Sequence, residues 1–270
     1  MKSLENKVSW VGTGPGDPEM ISIKGIRTIK QANAILYDRW IPLELLEYAQ
    51  PFCKTVQLDT SNDVRSSEVK ELLVYHASRF SNVVRLTSGD PNVYGRGYEE
   101  MEYVRRHGFC VENIPGITSA TAAPAAAGIP LTLRGVNESF CVINGTDASG
   151  EIAEDVDLVA RSSSTIIILM GASRLKEIAR VIASLRGAAE PMAVISNATT
   201  PEQTVVTGIA SDITERAQSA AIVGPAVIVA GKVVSQARLE RCIEAHKPQI
   251  SRHSLALPFK DAAYDTERSF

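Results

Sequence analysis

The sequence predicts an α/β protein of two α/β domains, with a mostly parallel sheet in the N-terminal part and a mixed sheet in the C-terminal part. Two observations carry this. Up to about residue 114, short β-rich runs alternate with helix-length segments, and such alternation is the mark of parallel βαβ units. Beyond that point the strand-like runs are longer and more β-branched, the texture of a sheet that includes antiparallel pairs.

The elements follow in order. Residues 8–11 (VSWV) read as a first strand, 21–32 as a helix, 34–37 (AILY) as a strand, 64–80 as a helix and 82–86 as a strand. Residues 97–107 read as a helix closed by Gly108, since glycine adopts the left-handed turn that ends helices. The strand-like 111–114 leads through Pro115-Gly116-Ile117-Thr118-Ser119 into an Ala-rich helix at 120–127. Residues 140–144, 165–170, 193–196 and 226–230 read as strands, and Thr204-Val205-Val206 suggests an antiparallel partner. The expected domains are 1–115 and 116–245, followed by a weakly periodic, loosely ordered tail at 246–270.

The bulk composition narrows the classes of function. With 270 residues, 44% hydrophobic and 22% charged, the chain has the make-up of an ordinary globular protein. A net charge of −3 argues against general nucleic-acid binding, so an anionic ligand has to be met by a few local arginines or lysines. Cys53, Cys110, Cys141 and Cys242 form no CxxC pair and read as reduced structural thiols, which implies a cytoplasmic location. The N-terminus has no apolar core after its charges, and no stretch reaches the length of a membrane span. His76, His107, His246 and His253 lack metal-ligand spacing, so no metal is expected.

The most informative local feature is a repeated tripeptide. Gly16-Asp17-Pro18 follows the first strand and Gly89-Asp90-Pro91 follows the strand at 82–86. Ligands of open parallel sheets bind beyond the carboxyl ends of the strands, where both loops would sit. Glycine permits tight turns and close backbone approach, and proline restricts the residue before it. The pair therefore reads as a preorganised backbone surface, with Asp serving either a ligand or the loop's own amides. Pro15 and Pro18 interrupt the first loop, and Asp17 stands where a dinucleotide fingerprint needs its third glycine.

In this order, Gly12-x-Gly14-Pro15-Gly16-Asp17-Pro18, Tyr37-Asp38-Arg39, Gly89-Asp90-Pro91-x-Val93-x-Gly95-Arg96-Gly97, Pro115-Gly116-Ile117-Thr118-Ser119-Ala120, Gly128-Ile129-Pro130-Leu131-Thr132-x-Arg134-Gly135, Thr200-Pro201-Glu202-Gln203 and Gly224-Pro225-Ala226 form a series. It resembles the tetrapyrrole methylase family, in particular the branch that acts on uroporphyrinogen III. The resemblance runs from about Lys7 to about Ile243. It implies a homodimer that binds S-adenosyl-L-methionine in a cleft between two α/β domains and releases S-adenosyl-L-homocysteine. The implied methyl-donor contacts are Pro15, Ser88, Gly89, Asp90, Val93, Thr118, Ser119, Met170, Ala198, Pro225 and Ala226.

On the substrate side the resemblance implies two C-methylations of uroporphyrinogen III, through precorrin-1 to precorrin-2, feeding sirohaem or cobalamin synthesis. An octacarboxylate macrocycle calls for arginines, which bind carboxylates bidentately. The resemblance places substrate contacts on Arg39, Arg96 and Arg134, with Glu99 one turn after Arg96. Asp38 matches the family's proposed proton acceptor; read alone, it could equally form a structural salt bridge with Arg39.

The chain departs from the branch at several positions. No lysine stands in Val56-Gln57-Leu58-Asp59-Thr60-Ser61-Asn62, Leu133 replaces a histidine, and Asn92 and Tyr94 replace a pair of phenylalanines. These departures bear on substrate preference and keep a second reading open, a methylase of a later precorrin or cobalt-precorrin. A third reading, an NAD(P)-dependent oxidoreductase, needs an acidic residue about twenty positions beyond the glycine loop, and Asp38 lies near that distance.

Overall fold

A computed structural model describes residues 6–58, 63–222 and 224–237 of the chain. The tail at 246–270, Cys242, His246, His253 and residues 59–62 of the lysine-free loop lie outside the described residues.

The N-terminal sheet holds five parallel strands: β1 Lys7–Gly12, β2 Ala34–Asp38, β3 Lys54–Leu58, β4 Asn82–Thr87 and β5 Cys110–Ile114, in the order β3-β2-β4-β1-β5. Three helices join them: α1 Ile23–Lys30, α2 Asp63–Ala77 and α3 Gly97–Arg106. Alternation along β1 sends Val8 and Trp10 into one buried cluster and Val11 into another on the opposite face, as the period of two requires. Both faces are thus covered, the usual condition of parallel sheets. β3 escapes a reading by periodicity because it is an edge strand whose Lys54, Thr55 and Gln57 are exposed.

This strand order has a functional consequence. From β1 the chain crosses to β2 on one side, and from β4 it crosses back to β5 on the other. The reversal falls between the neighbours β1 and β4, and a crevice opens at the carboxyl ends of strands at such a switch. With Gly12 paired to Thr87 in register, the two Gly-Asp-Pro loops emerge side by side at that crevice.

The C-terminal sheet contains β6 Phe140–Asn144, β7 Thr165–Leu169, β8 Pro191–Ser196, β9 Thr204–Ile209 and β10 Ala226–Ala230, in the order β6-β7-β10-β8-β9. The β6–β7 pair is parallel and the other pairs are antiparallel, so the sheet is mixed as expected. The helices are α4 Ser119–Ala126, α5 Asp155–Ala160, α6 Leu175–Arg186 and α7 Ile213–Ser219. β7, TIIIL, is buried throughout: Ile166 and Ile168 pack into the cluster with Ile178, Ile182 and Ile213, while Ile167 and Leu169 face Ala120, Ala123 and Val233.

The helix expected at 21–32 is shorter than its pattern. Pro18–Met20 forms a 3₁₀ turn capped by Asp17, and α1 starts afresh after Ser22, whose Oγ accepts from the Gly25 amide at 3.0 Å. Among the described residues no helix is long and apolar enough to cross a membrane, and Cys53, Cys110 and Cys141 carry free thiols.

Candidate functional site

Where β1, β4 and β5 end, three glycines let backbones meet. A Cβ on Gly12 would lie 2.5 Å from Gly89 O and 2.6 Å from Gly116 Cα, closer than a side chain tolerates, so Gly12 and Gly116 are required by close approach, whereas Gly89 has open space and is favoured by its φ of +66°. The loops then pair directly: the Gly89 amide donates to Gly14 O at 2.8 Å, and the Gly14 amide donates to Gly89 O at 3.3 Å. Both aspartates serve these loops. Asp17 Oδ1 accepts from the Glu19 amide at 2.8 Å; Asp90 Oδ1 accepts from the Asn92 amide at 2.8 Å, and its Oδ2 from the Gly116 amide at 3.0 Å.

Beside these loops lies a cavity of about 700 Å³ walled by both sheets, within the range of small-molecule sites. Pro15, Ser88, Val93, Ser119, Met170, Ala198, Pro225 and Ala226 line it, so the structure brings together most of the expected methyl-donor residues. Gly89, Asp90 and Thr118 are not on the lining: the first two build the wall behind it, and Thr118 caps α4 by accepting from the Ala120 amide at 3.3 Å. The lining also includes Trp40, Tyr94, Leu169, Ile195, Asn197 and Thr200, none of which was among the expected methyl-donor contacts, although Thr200 opens one of the motifs. Asn197, Ala198 and Thr200 carry a usable signal, because a turn-forming stretch follows β8 just as Gly-Asp-Pro follows β1.

Two properties mark this cavity. Among the described residues, none of its lining side chains is charged. Its rim also holds unusual backbone: Tyr94, Met170, Asn197 and Thr199 have φ of 50°, 52°, 47° and 70°. Left-handed conformations are costly for such residues and gather at ligand sites, where surrounding structure enforces them. Met170 ends a buried strand, and this turn carries its side chain out to half exposure (50%).

The five residues expected on the substrate side do not line the cavity. Arg39, Arg96, Glu99 and Arg134 are exposed. Arg39 stacks on the Trp40 ring at 4.3 Å, and Trp40 does line the cavity. Glu99 faces Lys70 at 3.8 Å. Arg96 starts α3, and Arg134 lies in the turn bridged by Leu133 and Asn137.

Asp38 has a partner that the sequence reading did not name. Its salt bridge runs to Arg85, not Arg39: Arg85 Nη2 donates to Asp38 Oδ1 at 2.7 Å. Arg85 is buried (2% exposed) and also donates through Nε to Glu100 Oε2 at 3.1 Å and through Nη1 to Leu86 O at 2.7 Å. Glu100, equally buried, accepts from Trp10 Nε1 at 2.8 Å. Burial pushes the Asp38 carboxyl above its ordinary value against the opposing pull of Arg85, and the negative charge of Glu100 adds to the rise. The available signal was Arg85 itself, a charge inside the apolar run Val83 to Leu86.

Comparison with known proteins bears on this geometry. The family model for Tetrapyrrole (Corrin/Porphyrin) Methylases matches residues 7–214. The chain belongs to the tetrapyrrole methylase family. It is 40% identical over 237 residues to the uroporphyrinogen-III C-methyltransferase of Methanocaldococcus jannaschii, covering 86% of this chain and 98% of the relative. A solved uroporphyrin-III C-methyltransferase of Thermus thermophilus, complexed with S-adenyl homocysteine, superposes with a TM-score of 0.74 at 35% identity, over 85% of this chain and 99% of that one. A cobalt precorrin-4 methyltransferase gives 0.77 at 25% identity, over 84% and 95%. The chain spans about half the length of several longer curated relatives.

S-adenosylmethionine is the methyl donor of this methylase class, and the cavity suits it. The molecule carries no phosphate, and the uncharged lining offers backbone, apolar walls, and the side chains of Ser88, Ser119, Asn197 and Thr200. A dinucleotide fits poorly. The loop after β1 leads into a 3₁₀ turn, not an α-helix whose amides could seat a pyrophosphate, and Asp38, the candidate ribose ligand, is engaged by Arg85. This removes the oxidoreductase reading.

Proposed function

We infer that the chain methylates uroporphyrinogen III twice at carbon, through precorrin-1 to precorrin-2, in the synthesis of sirohaem or cobalamin. The observation that carries this reading is the juxtaposition of an uncharged, backbone-walled cavity at the switch between β1 and β4 with Arg39 and Arg96 exposed on loops that line it. The likeness to enzymes of that name supports it. On this reading Pro15, Ser88, Val93, Ser119, Met170, Ala198, Pro225 and Ala226 hold the methyl donor. Gly89, Asp90 and Thr118 shape its wall. The enzyme works as a cytoplasmic homodimer of two-domain subunits divided near residue 115.

When bound, S-adenosylmethionine supplies an electrophilic methyl group. The nucleophile is an electron-rich pyrrole carbon, so no side chain need form a covalent bond, and alignment and proton removal remain for the protein. Arg39, Arg96 and Arg134 grip the carboxylates of the macrocycle, with Glu99 at the same rim. Asp38 accepts the proton that the methylated carbon loses. Arg85 holds Oδ1 of Asp38 in place, and the raised affinity of this carboxyl for protons suits it to the task. Because charge at sulfur disappears as the methyl group moves, a lining without charged side chains favours the reaction.

The test is incubation with S-adenosylmethionine and uroporphyrinogen III under reducing conditions, followed by mass spectrometry. Products heavier by one and then two methyl groups are expected. Tight binding of S-adenosylhomocysteine with no methylated uroporphyrinogen would sink this substrate and favour a later precorrin, in line with the cobalt precorrin-4 methyltransferase likeness.

A further inference from the structure

Hydrogen bonds cross from the parallel-sheet loops to the mixed-sheet side of the cavity, and two of them bear on its walls. In the first, the Asp17 amide donates to Thr199 Oγ1 at 3.1 Å. That partner loop is pinned by Gln203, whose Oε1 accepts from the Thr199 amide at 2.8 Å and whose Nε2 donates to Ala126 O at 3.2 Å. In the second, the Tyr94 hydroxyl donates to the Val142 carbonyl at 2.8 Å, joining residues 48 apart in sequence. Tyr94 belongs to the loop between β4 and α3, and Val142 to β6, an edge strand of the mixed sheet.

Several features distinguish Tyr94 from an incidental surface phenol. It lines the cavity although it is 47% exposed. Its φ of 50° is one that an aromatic residue keeps only where its surroundings enforce it. Val93 beside it and Ser88 earlier in the same loop line the cavity as well, while β6 is paired with β7, whose end carries Met170 to the cavity. The phenol is a donor at neutral pH at its ordinary value, and burial and then the negative charge of Asp155 push it higher still.

We propose that Tyr94 is a positioning residue, whose hydroxyl clamps the 88–97 loop to β6 and holds the Ser88 and Val93 wall of the cavity against the Met170 wall while the methyl donor is bound. The proposal rests on reading the cavity as the methyl-donor site. A single, half-exposed hydrogen bond is also easily broken and remade, so the clamp can open for entry and for product release.

Tyr94→Phe keeps the ring and removes only the oxygen. The measurement is the dissociation constant and dissociation rate of S-adenosylhomocysteine for wild type and variant, together with KM for both substrates. The variant is expected to release S-adenosylhomocysteine roughly three- to tenfold faster, the worth of about one hydrogen bond. KM for S-adenosylmethionine rises in step while KM for the tetrapyrrole holds. Unchanged dissociation would reduce Tyr94 to a structural contact and overturn the clamp. A rise confined to the tetrapyrrole KM would put the hydroxyl on the macrocycle and overturn it equally. Absence of S-adenosylhomocysteine binding by the wild type would overturn the reading of the cavity itself, and the clamp with it.

Discussion

The cavity and the ground beside it are built by opposite means. The cavity wall uses glycines in close approach, left-handed turns at Met170 and Asn197, and no charged side chain among the described residues. A few residues away, Asp38, Arg85 and Glu100 form a buried chain of charges, and Arg39, Arg96 and Arg134 stand exposed. The contrast suggests a division of labour. On the function proposed above, backbone shape selects the methyl donor, and side-chain charge selects and deprotonates the substrate.

The sharpest way to break this comparison is to remove the charge at the centre of the second region. Arg85→Met leaves Glu100 and Asp38 without their shared partner. Breaking a buried ion pair in this way costs about 3–5 kcal/mol, so a large drop in the denaturation midpoint is expected. A midpoint near that of the wild type would show that the network contributes little. Arg96→Ala separates the two regions more gently. Loss of one charged contact to the macrocycle, worth about 1.5–3 kcal/mol, should lower turnover efficiency roughly ten- to a hundredfold while S-adenosylhomocysteine affinity is kept. Equal loss of both would move Arg96 into the methyl-donor site.

What could be read from the sequence divides along the same line. Glycine, proline and strand alternation act locally, so the Gly-Asp-Pro loops and the strands at 140–144 and 226–230 were legible, while lining residues such as Pro15 and Pro225 came from the family resemblance. The charge network was not, because it depends on register. Trp10 lies beside Arg85 only through the β1–β4 pairing, and Glu100 arrives from α3. Trp40 was missed for a related reason: an exposed aromatic carries no periodic signal, and its place at the cavity follows from how the chain leaves β2. Asp38 was found by its motif, while its actual partner came from β4, which neighbours β2 only once the sheet has formed.

Two carboxylates extend the contrast to stability, with a smaller effect. Glu112 sits between Lys24 at 2.6 Å and Lys7 at 2.9 Å, and their hydrogen bonds lower it from 4.5 to about 2. The unfolded chain takes up the proton first on acidification. The contribution of Glu112 is therefore complete above 4.5 and is lost as pH falls toward about 2. Asp38, raised by burial, has the opposite sign: its ionised form weakens the fold above its raised value, and that penalty disappears below its ordinary value of 3.8. Glu112→Gln should lower stability at neutral pH by about 1 kcal/mol or less, and melting curves of the two proteins should converge as pH approaches 2.

The division of labour itself is tested most directly by steady-state kinetics across ionic strength. Salt screens contacts between exposed charges and leaves uncharged contacts largely alone. The account predicts that KM for the tetrapyrrole climbs steeply with added salt while KM for S-adenosylmethionine stays nearly level. Parallel increases in both, or a rise in the methyl-donor KM alone, would contradict it.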